Sequence, residues 1–433
     1  MLLLKPWLCC VSLLHLAVTR ASAWVFVGNA AGSRIMHTTL SKTGAGSKAR
    51  KEIPTAVHAT PTRVAGGVNT VVAGTRVVGL GRRRSSVLRM GKADAKDADV
   101  ALRSVKVGPL KQENIELPSG VSMQTLSQKP STGSPKRSKP APPLVFIHGS
   151  YHAAWCWAEH WMPFLASKGY ETYSISLRGT SGTLIPGAEP DAKGVKVKIS
   201  DHVDDIRSFA ETVLPGRRPV FVSHSFGGVV LLKLLEELAT EGGQGEKENK
   251  DEEGADGIRP AVAGGAFLCS VPPSGNGPMT KRFIKQRPVM AVKIVLGFVL
   301  KMAVYWPWLA RDLFFCQALE QSSLKRYMSS FKADSKNGLD LMDFSGQLPM
   351  KMANADGQAT WVNQAPPRLV IGAERDRIVD EAGVQEMATF LDTDYVMLPT
   401  VPHEVMLGPD WPLGVARLLQ WLETTDFAMS SKP

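Results

Sequence analysis

Acidic residues are almost absent from the first 90 positions of this 433-residue chain, where Glu52 stands against 13 Lys and Arg residues. The chain carries a net charge of +11, yet the remaining positions hold 38 basic and 39 acidic residues, so the excess belongs to the N-terminal segment. A main body that is close to neutral offers no electrostatic reason to bind nucleic acid. We therefore expect no nucleic-acid partner.

Cysteine is also scarce, with five residues in the chain, and two of them, Cys9 and Cys10, lie near its start. The other three, Cys156, Cys269 and Cys316, are widely spaced, odd in number and match no metal-binding pattern. The sequence therefore predicts no metal and no cofactor, and a reducing compartment is the simplest interpretation of its cysteine usage.

The start of the chain lacks a long uninterrupted apolar run, because Ser12 and His15 break the segment 7–18. This segment is too short to span a membrane and has the length of a signal-peptide core. Three small residues at positions 21–23 then form a cleavage site. We predict a signal peptide over residues 1–23.

Residues 24–90 begin with Trp24 and are rich in Arg, Ser, Thr, Ala and Gly, a composition typical of a transit peptide. A signal peptide followed by an aromatic residue and a transit peptide resembles the bipartite leader of plastid proteins in algae with complex plastids. We expect localisation in the plastid, in the stroma or at the thylakoid surface. The alternative is a secreted protein with a disordered linker. The transit segment is predicted to end near residues 89–91, with the folded domain over residues 91–425.

The rest of the chain is organised around the stretch 219–228. An apolar run at 220–222 predicts a buried strand, and a helix-forming run comes next at 229–238. Between them Ser225 occupies a sharp turn, which is the arrangement of a nucleophile elbow. Such a short pattern taken alone also fits an ordinary buried serine at a strand–helix junction.

Two neighbours of Ser225 bear on this prediction. Gly227 fits the last position of the G-x-S-x-G pattern, whereas Ser223 replaces its first glycine with another small residue. The start of the helix places the amide of Phe226 where it can stabilise an oxyanion.

A second oxyanion donor is expected from the loop after the predicted strand 144–148. The amide of Ser150 in this loop can point back toward the elbow. We interpret His148 and His152 as structural residues whose hydrogen bonds fix the loop.

Alternating strands and helices predict an α/β domain with a mostly parallel sheet, whose site lies at the carboxyl ends of the strands. Three residues come directly after such ends in the order Ser225, Asp376 and His403. A serine hydroxyl needs a histidine to take its proton, and a carboxylate holds that histidine in one tautomer. Glu374 and Asp380 lie near the same strand end as Asp376 and are alternatives, although Asp380 is better placed to begin a helix.

The strand–helix alternation stops between about residues 272 and 349, after the sixth predicted strand, where the segment is helical, basic and apolar. We predict a helical lid here. Lys293 and Lys301 interrupt its apolar stretch at 289–309, so a transmembrane span is not expected. This stretch is expected to fold its apolar face over the catalytic pocket or to rest it on a membrane surface. The alternative is a lid helix that packs entirely against the core. An acidic, Gly-rich stretch at about 241–257 predicts a solvated surface insertion.

The loop 148–157, the elbow and the pair Asp376 and His403 resemble the α/β-hydrolase superfamily. Within it they are similar to the plant methylesterase and hydroxynitrile-lyase group and to plastid α/β-hydrolases, over residues 144–423. The lyases of this group carry a lysine after the catalytic histidine, whereas this chain has Glu404, which argues against lyase activity. The resemblance implies an α/β-hydrolase fold with Ser225 as nucleophile, His403 as base, Asp376 as acid, and the amides of Ser150 and Phe226 as oxyanion donors.

Two classes of function are compatible with these residues. The first is a serine hydrolase that cleaves a hydrophobic ester, such as a lipid, pigment or terpenoid ester, through an acyl-enzyme. The second is a receptor-like protein that binds a ligand in the same pocket with slow or no turnover. An intact triad does not separate the two classes.

Overall fold

The computed structural model describes residues 87–89, 107–130, 140–189, 192–248 and 262–427. The predicted signal peptide, the transit segment up to residue 86 and the later part of the predicted acidic insertion lie outside the described residues.

The described residues form a nine-stranded sheet in the order β1-β11-β10-β8-β7-β4-β5-β3-β2. All neighbouring strands are parallel except that β3 is antiparallel to both β5 and β2. The prediction of a mostly parallel sheet is therefore confirmed. The strands are β1 Val87–Arg89, β2 Lys111–Glu116, β3 Ser122–Gln128, β4 Leu144–Ile147, β5 Thr172–Ile175, β6 Lys196–Val197, β7 Val220–His224, β8 Gly264–Leu268, β9 Gly338–Leu339, β10 Arg368–Ala373 and β11 Tyr395–Leu398.

Helices connect and flank these strands, and α3 packs against α4 while α11 contacts α2. The α-helices are α1 Trp155–Ala158, α2 Trp161–Ser167, α3 Ile199–Val213, α4 Phe226–Glu248, α5 Asn276–Gln286, α6 Pro288–Ile294, α7 Pro307–Phe314, α8 Gln321–Asp334, α9 Leu341–Gly346, α10 Glu381–Phe390 and α11 Trp411–Thr424. A π-helical turn spans Val295–Val299, and 3₁₀ turns span Met302–Val304, Pro349–Met352 and Val362–Gln364.

The central strands are buried along their whole length because both faces of the sheet are covered. Every residue of β4, β7 and β8 is buried. The ring of Phe146 on β4 lies 4.8 Å from that of Trp157, which lies 5.3 Å from that of Trp161, measured between centroids. This aromatic packing fixes the loop between β4 and α2 against the sheet.

The segment between β8 and β10 contains helices α5 to α9, as the predicted insertion at about 272–349 requires. Two residue pairs between β6 and β9, Lys196 with Gly338 and Val197 with Leu339, join this inserted segment to the loop before α3. No helix of the described residues is long and apolar enough to cross a membrane.

Two elements differ from the sequence-based expectations in extent. Helix α4 continues to Glu248, so the first part of the predicted surface insertion at 241–257 is helical. Strand β1 lies within the predicted transit segment, yet it pairs in parallel with β11, Leu88 opposite Val396. The predicted boundary near residues 89–91 stays a prediction.

Candidate active site

Ser225 occupies a sharp turn between the end of β7 and the start of α4. Its φ of +51° lies in the left-handed region, which costs a non-glycine residue on the order of 1 kcal/mol. Hydrogen bonds hold this backbone in place: the Ser225 amide donates to the carbonyl of Leu268 at 3.0 Å, and the Ser225 carbonyl accepts from the amides of Gly228 and Val271 at 3.1 Å each. The turn is the elbow that the sequence predicts.

Small residues around the elbow allow close approach of the backbone. A Cβ atom on Gly149 would lie 2.8 Å from Cβ of Ser225, and one on Gly227 would lie 2.6 Å from the carbonyl oxygen of His148. Ser223, which stands where the pattern has its first glycine, is fully buried, and its hydroxyl donates to the carbonyl of Ala266 at 2.9 Å. Since that hydroxyl has a partner, serine is accommodated here.

The three residues expected to act together lie in one hydrogen-bonded chain. Oγ of Ser225 is 3.2 Å from Nε2 of His403, and Nδ1 of His403 is 2.8 Å from Oδ2 of Asp376. Because the carboxylate can only accept, Nδ1 carries the proton and the lone pair on Nε2 faces the serine hydroxyl. The other carboxylate oxygen of Asp376 accepts from the amides of Ile378 and Val379 at 2.7 and 2.9 Å, which fixes its orientation.

The surroundings of His403 favour its charged form. Burial alone lowers the pKa of its imidazole, but the carboxylates of Asp376 and Glu404 outweigh burial, so its pKa is raised above the ordinary value of 6.5. A histidine that gains a proton readily and is held in one tautomer is suited to general-base chemistry.

The alternative acids are used elsewhere or point to solvent. Asp380 caps α10, where its side chain accepts from the amide of Gly383, and it forms a bidentate pair with Arg282 at 2.6 and 2.7 Å. Glu374 is exposed. Neither contacts His403, so Asp376 is the carboxylate that the structure brings to the histidine.

The two predicted oxyanion donors lie on either side of Ser225. Phe226 is the first residue of α4, and Ser150 comes directly after Gly149, whose backbone packs directly on Ser225. Among the described residues, neither amide donates a hydrogen bond to another protein group. Free amides at a helix start and beside the nucleophile are the features that an oxyanion site requires.

His148 holds the loop that carries Ser150. Its Nε2 accepts from the amide of Leu177 at 2.9 Å, so the proton lies on Nδ1, which donates to the carbonyl of Gly149 at 2.8 Å. Burial lowers the pKa of His148 to about 3, which keeps the imidazole neutral. These contacts agree with the structural role expected for this residue.

Comparison with known proteins agrees with this fold. Residues 144–416 match the model of the alpha/beta hydrolase family, which is more than half of the chain. The chain belongs to the α/β-hydrolase family.

Among curated α/β-hydrolase relatives, methyl jasmonate esterase 1 of Vitis vinifera is 29% identical over 93 residues, covering 22% of this chain and 33% of that protein. Methylesterase 10 of Arabidopsis thaliana is 30% identical over 101 residues, with the same shares. The match therefore spans about a third of these relatives, and it confirms the predicted relationship with plant methylesterases. Of solved structures, potato (Solanum tuberosum) epoxide hydrolase I is 16% identical, with a TM-score of 0.48, over 73% of this chain and 100% of that one.

A buried polar cluster beside the α/β-hydrolase site had no clear sequence signal. Nδ1 of His152 lies 2.8 Å from the carbonyl oxygen of Ser150, and its Nε2 lies 3.0 Å from Oε2 of Glu404 as an ion pair rather than a well-aligned hydrogen bond. Burial raises the pKa of Glu404, but His152 and His224 outweigh it, and its pKa falls to about 2. In the sequence, the only indication that Glu404 belongs to this cluster was its position next to His403.

The inserted segment contacts two parts of the site. The ring of Phe298 lies 5.0 Å from that of Tyr151, which follows Ser150, and the Tyr151 hydroxyl donates to the Phe298 carbonyl. The ring of Phe314 lies 6.3 Å from that of His403. Ser225 is 5% exposed and His403 is 2% exposed.

Proposed function

We propose that this protein is a serine hydrolase that cleaves an ester bond through an acyl-enzyme. The observation that carries the proposal is the chain of contacts from Ser225 through His403 to Asp376, at 3.2 and 2.8 Å, on an elbow with a left-handed backbone. The curated relatives named as esterases support the same class of reaction.

Each residue has one task in the proposed reaction. Oγ of Ser225 attacks the ester carbonyl carbon while its proton passes to Nε2 of His403. The negative charge on the carbonyl oxygen is stabilised by the amides of Ser150 and Phe226. The C–O bond then breaks, and the alcohol leaves with the proton from His403. Water, activated by the same histidine, releases the acid and restores the serine.

We further propose that the substrate is hydrophobic. The side chains that the inserted segment and the loop of Ser150 place beside His403 form an aromatic cluster, namely Tyr151, Phe298 and Phe314. An acyl or isoprenoid chain buried against them gains about 0.8 kcal/mol per CH₂. In a panel of esters, kcat/KM is expected to rise with acyl chain length beyond the shortest members. If kcat/KM stays constant or falls as the acyl chain lengthens, the substrate is a small ester instead.

Labelling with a fluorophosphonate tests the nucleophile directly. Ser225→Ala is expected to abolish labelling and to lower kcat by about 10³-fold or more. Ser223→Gly is the matched control, because Ser223 lies in the same elbow and this change restores the common pattern; its labelling is expected to persist. Labelling that survives Ser225→Ala contradicts the assignment.

The near-complete burial of Ser225 and His403 favours a second candidate, a ligand-binding protein with slow or no turnover. The two candidates differ in the steps after acylation. A hydrolase releases many equivalents of alcohol per serine, whereas a receptor-like protein binds the ligand tightly and releases about one equivalent or none. Steady-state turnover after the initial burst separates them.

A further inference from the structure

Within the inserted segment, residues 288–314 form a helical hairpin. Its first arm is α6 with the π-helical turn, and its second arm is α7. Nζ of Lys293 lies 2.7 Å from Oδ2 of Asp312, and a Cβ on Gly297 would lie 2.2 Å from a methyl carbon of Leu313. These contacts pack the two arms against each other. Residues 299–308, which comprise the turn between the arms and the adjoining end of each arm, are the hairpin tip.

The hairpin tip presents large apolar side chains to solvent. Five of the ten large apolar side chains exposed in the described part of the chain fall within these ten positions, each between 37% and 56% exposed. The rings of Trp306 and Trp308 lie parallel with centroids 6.0 Å apart. Such a concentration marks an interaction surface, since scattered single residues are the normal case. The five are Val299, Leu300, Tyr305, Trp306 and Trp308.

The charge around the hairpin tip has one sign. No Asp or Glu occurs between Val271 and Arg311. Lys301 lies in the tip with an exposed side chain whose Nζ donates to the carbonyl of Ser335, and Nζ of Lys332 lies 5.0 Å from the ring centroid of Tyr305. Tryptophan and tyrosine with flanking lysines match the headgroup region of an anionic bilayer, whereas the core of a protein interface is depleted in lysine.

We propose that the hairpin tip docks on an anionic lipid bilayer. The tip is joined directly to a residue that contacts the loop of Ser150. Phe298, whose ring and carbonyl contact Tyr151, immediately precedes Val299. Insertion of the tip draws Phe298 away from Tyr151, the neighbour of Ser150 in the chain, and opens a path to Ser225 from the bilayer. This consequence rests on the proposed function, since it brings esters dissolved in lipid to the nucleophile.

Vesicle co-sedimentation tests the docking without turnover when the full chain carries Ser225→Ala. Vesicles of equal parts phosphatidylglycerol and phosphatidylcholine are compared with phosphatidylcholine alone. In this background, Trp306→Ser with Trp308→Ser is expected to weaken binding to the anionic vesicles about tenfold or more. Serine suits position 306, which is the N-cap of α7. Met342→Ser, at a residue 63% exposed on α9, is the matched control and is expected to change nothing.

The basic leader can itself attract anionic vesicles, and it is present in every variant. The test therefore depends on the difference in binding between variants and not on binding alone. Lys301→Gln with Lys332→Gln is expected to weaken binding and to reduce its dependence on salt. Equal binding by the parent and the double Trp variant, with an unchanged thermal midpoint, overturns the proposal. A Trp variant that changes only the oligomeric state overturns it too, since the tip is then a protein contact. Hydrolysis of a soluble short-chain ester by the unaltered chain reports separately on the proposed function.

Discussion

At the scale of single residues, the orientation of His403 depends on Asp376. In Asp376→Asn, Oδ1 still accepts from the amides of Ile378 and Val379, but the side-chain NH₂ faces Nδ1 and favours the wrong tautomer. We expect an intact fold and a loss of about 10³- to 10⁴-fold in kcat. Asp380→Asn is the control, because asparagine also caps a helix. A larger loss of kcat in Asp380→Asn than in Asp376→Asn would contradict the assignment of Asp376 as the acid.

The pH profile gives a second measure of the same pair. His403 must be neutral to accept the serine proton, so kcat/KM falls as the pH drops through its pKa. Because the carboxylates raise that pKa above 6.5, the acid limb is expected above the ordinary histidine value. The residual activity of Asp376→Asn is expected to show this limb at lower pH, since one of the two carboxylates is gone. An acid limb that does not move identifies another titrating group.

The pair His152 and Glu404 is expected to position the loop of Ser150. Nε2 of His152 lies 3.0 Å from the Glu404 carboxylate and its Nδ1 lies 2.8 Å from the Ser150 carbonyl, so the ring links Glu404 to this loop. Glu404→Gln is expected to lower kcat on the order of 10- to 100-fold with little change in KM. It should also shift the acid limb downward, because Glu404 helps to raise the pKa of His403.

Two further variants separate this positioning role from a general loss of structure. Glu404→Asp is expected to restore part of kcat, because it keeps the charge. Glu374→Gln, at an exposed carboxylate near β10, is expected to leave both constants unchanged. If Glu404→Gln raises KM and leaves kcat intact, the pair does not act on the oxyanion loop.

The sequence was sufficient to group Ser225, Asp376 and His403, because parallel strands end at one edge of a sheet and each residue lies just beyond such an end. It also indicated a structural role for His152 in the loop of Ser150, but it was not sufficient for the contact between Glu404 and His152. Their contact joins two loops that are far apart in the chain, and it depends on how each loop packs rather than on strand order. Chain order carries no information of that kind.

At the scale of elements, the buried strands β4 and β7 and the elbow were predictable from local pattern, but strand β1, the extent of α4 and the burial of α6 were not. Helix α4 continues through a Gly-containing acidic stretch to Glu248, so local composition alone misplaces its end. In the inserted segment, α6 has no fully buried residue, whereas a lid helix packed entirely against the core was one interpretation of its apolar composition. Apolar composition alone does not show which residues of a helix are buried against the core.

The junction of β7 and α4 has little room for a side chain at Gly227. A Cβ on Gly227 would lie 2.6 and 2.8 Å from the carbonyl oxygens of His148 and Ile147, and this backbone has no room to move. Gly227→Ala is expected to cost about 1–3 kcal/mol of unfolding free energy and to slow fluorophosphonate labelling. Both effects are measured by denaturant titration and by labelling rate.

Gly277 offers a matched control for this substitution. It is likewise the second residue of its helix, and a Cβ there meets nothing within 4 Å. Gly277→Ala is expected to be neutral or to stabilise the protein by up to about 1 kcal/mol, because alanine is the better helix former. Equal losses in the two variants would mean that the elbow packing is not the cause.

At the scale of the whole molecule, the excess of basic residues is confined to residues 1–90, and the rest of the chain is close to neutral. We propose that residues 1–23 direct entry into the secretory route and that the segment beginning at Trp24 directs import into the plastid. A reporter fused to residues 1–90 is expected in the plastid of an alga with complex plastids, and Trp24→Ala is expected to divert it. Secretion of the unaltered fusion would contradict plastid import.

Strand β1 adds a constraint on where the leader is removed. Its residues Val87–Arg89 pair with Tyr395–Met397 and cover the outer edge of β11. A cut near residue 90 removes this strand and leaves the hydrogen-bonding edge of β11 open, an arrangement that favours aggregation. We therefore expect the mature N-terminus, measured by mass spectrometry of the purified protein, at or before Val87. A chain that begins at Ser85 is expected to unfold at a higher temperature than one that begins at Gly91, and equal midpoints would show that β1 contributes nothing to the folded domain.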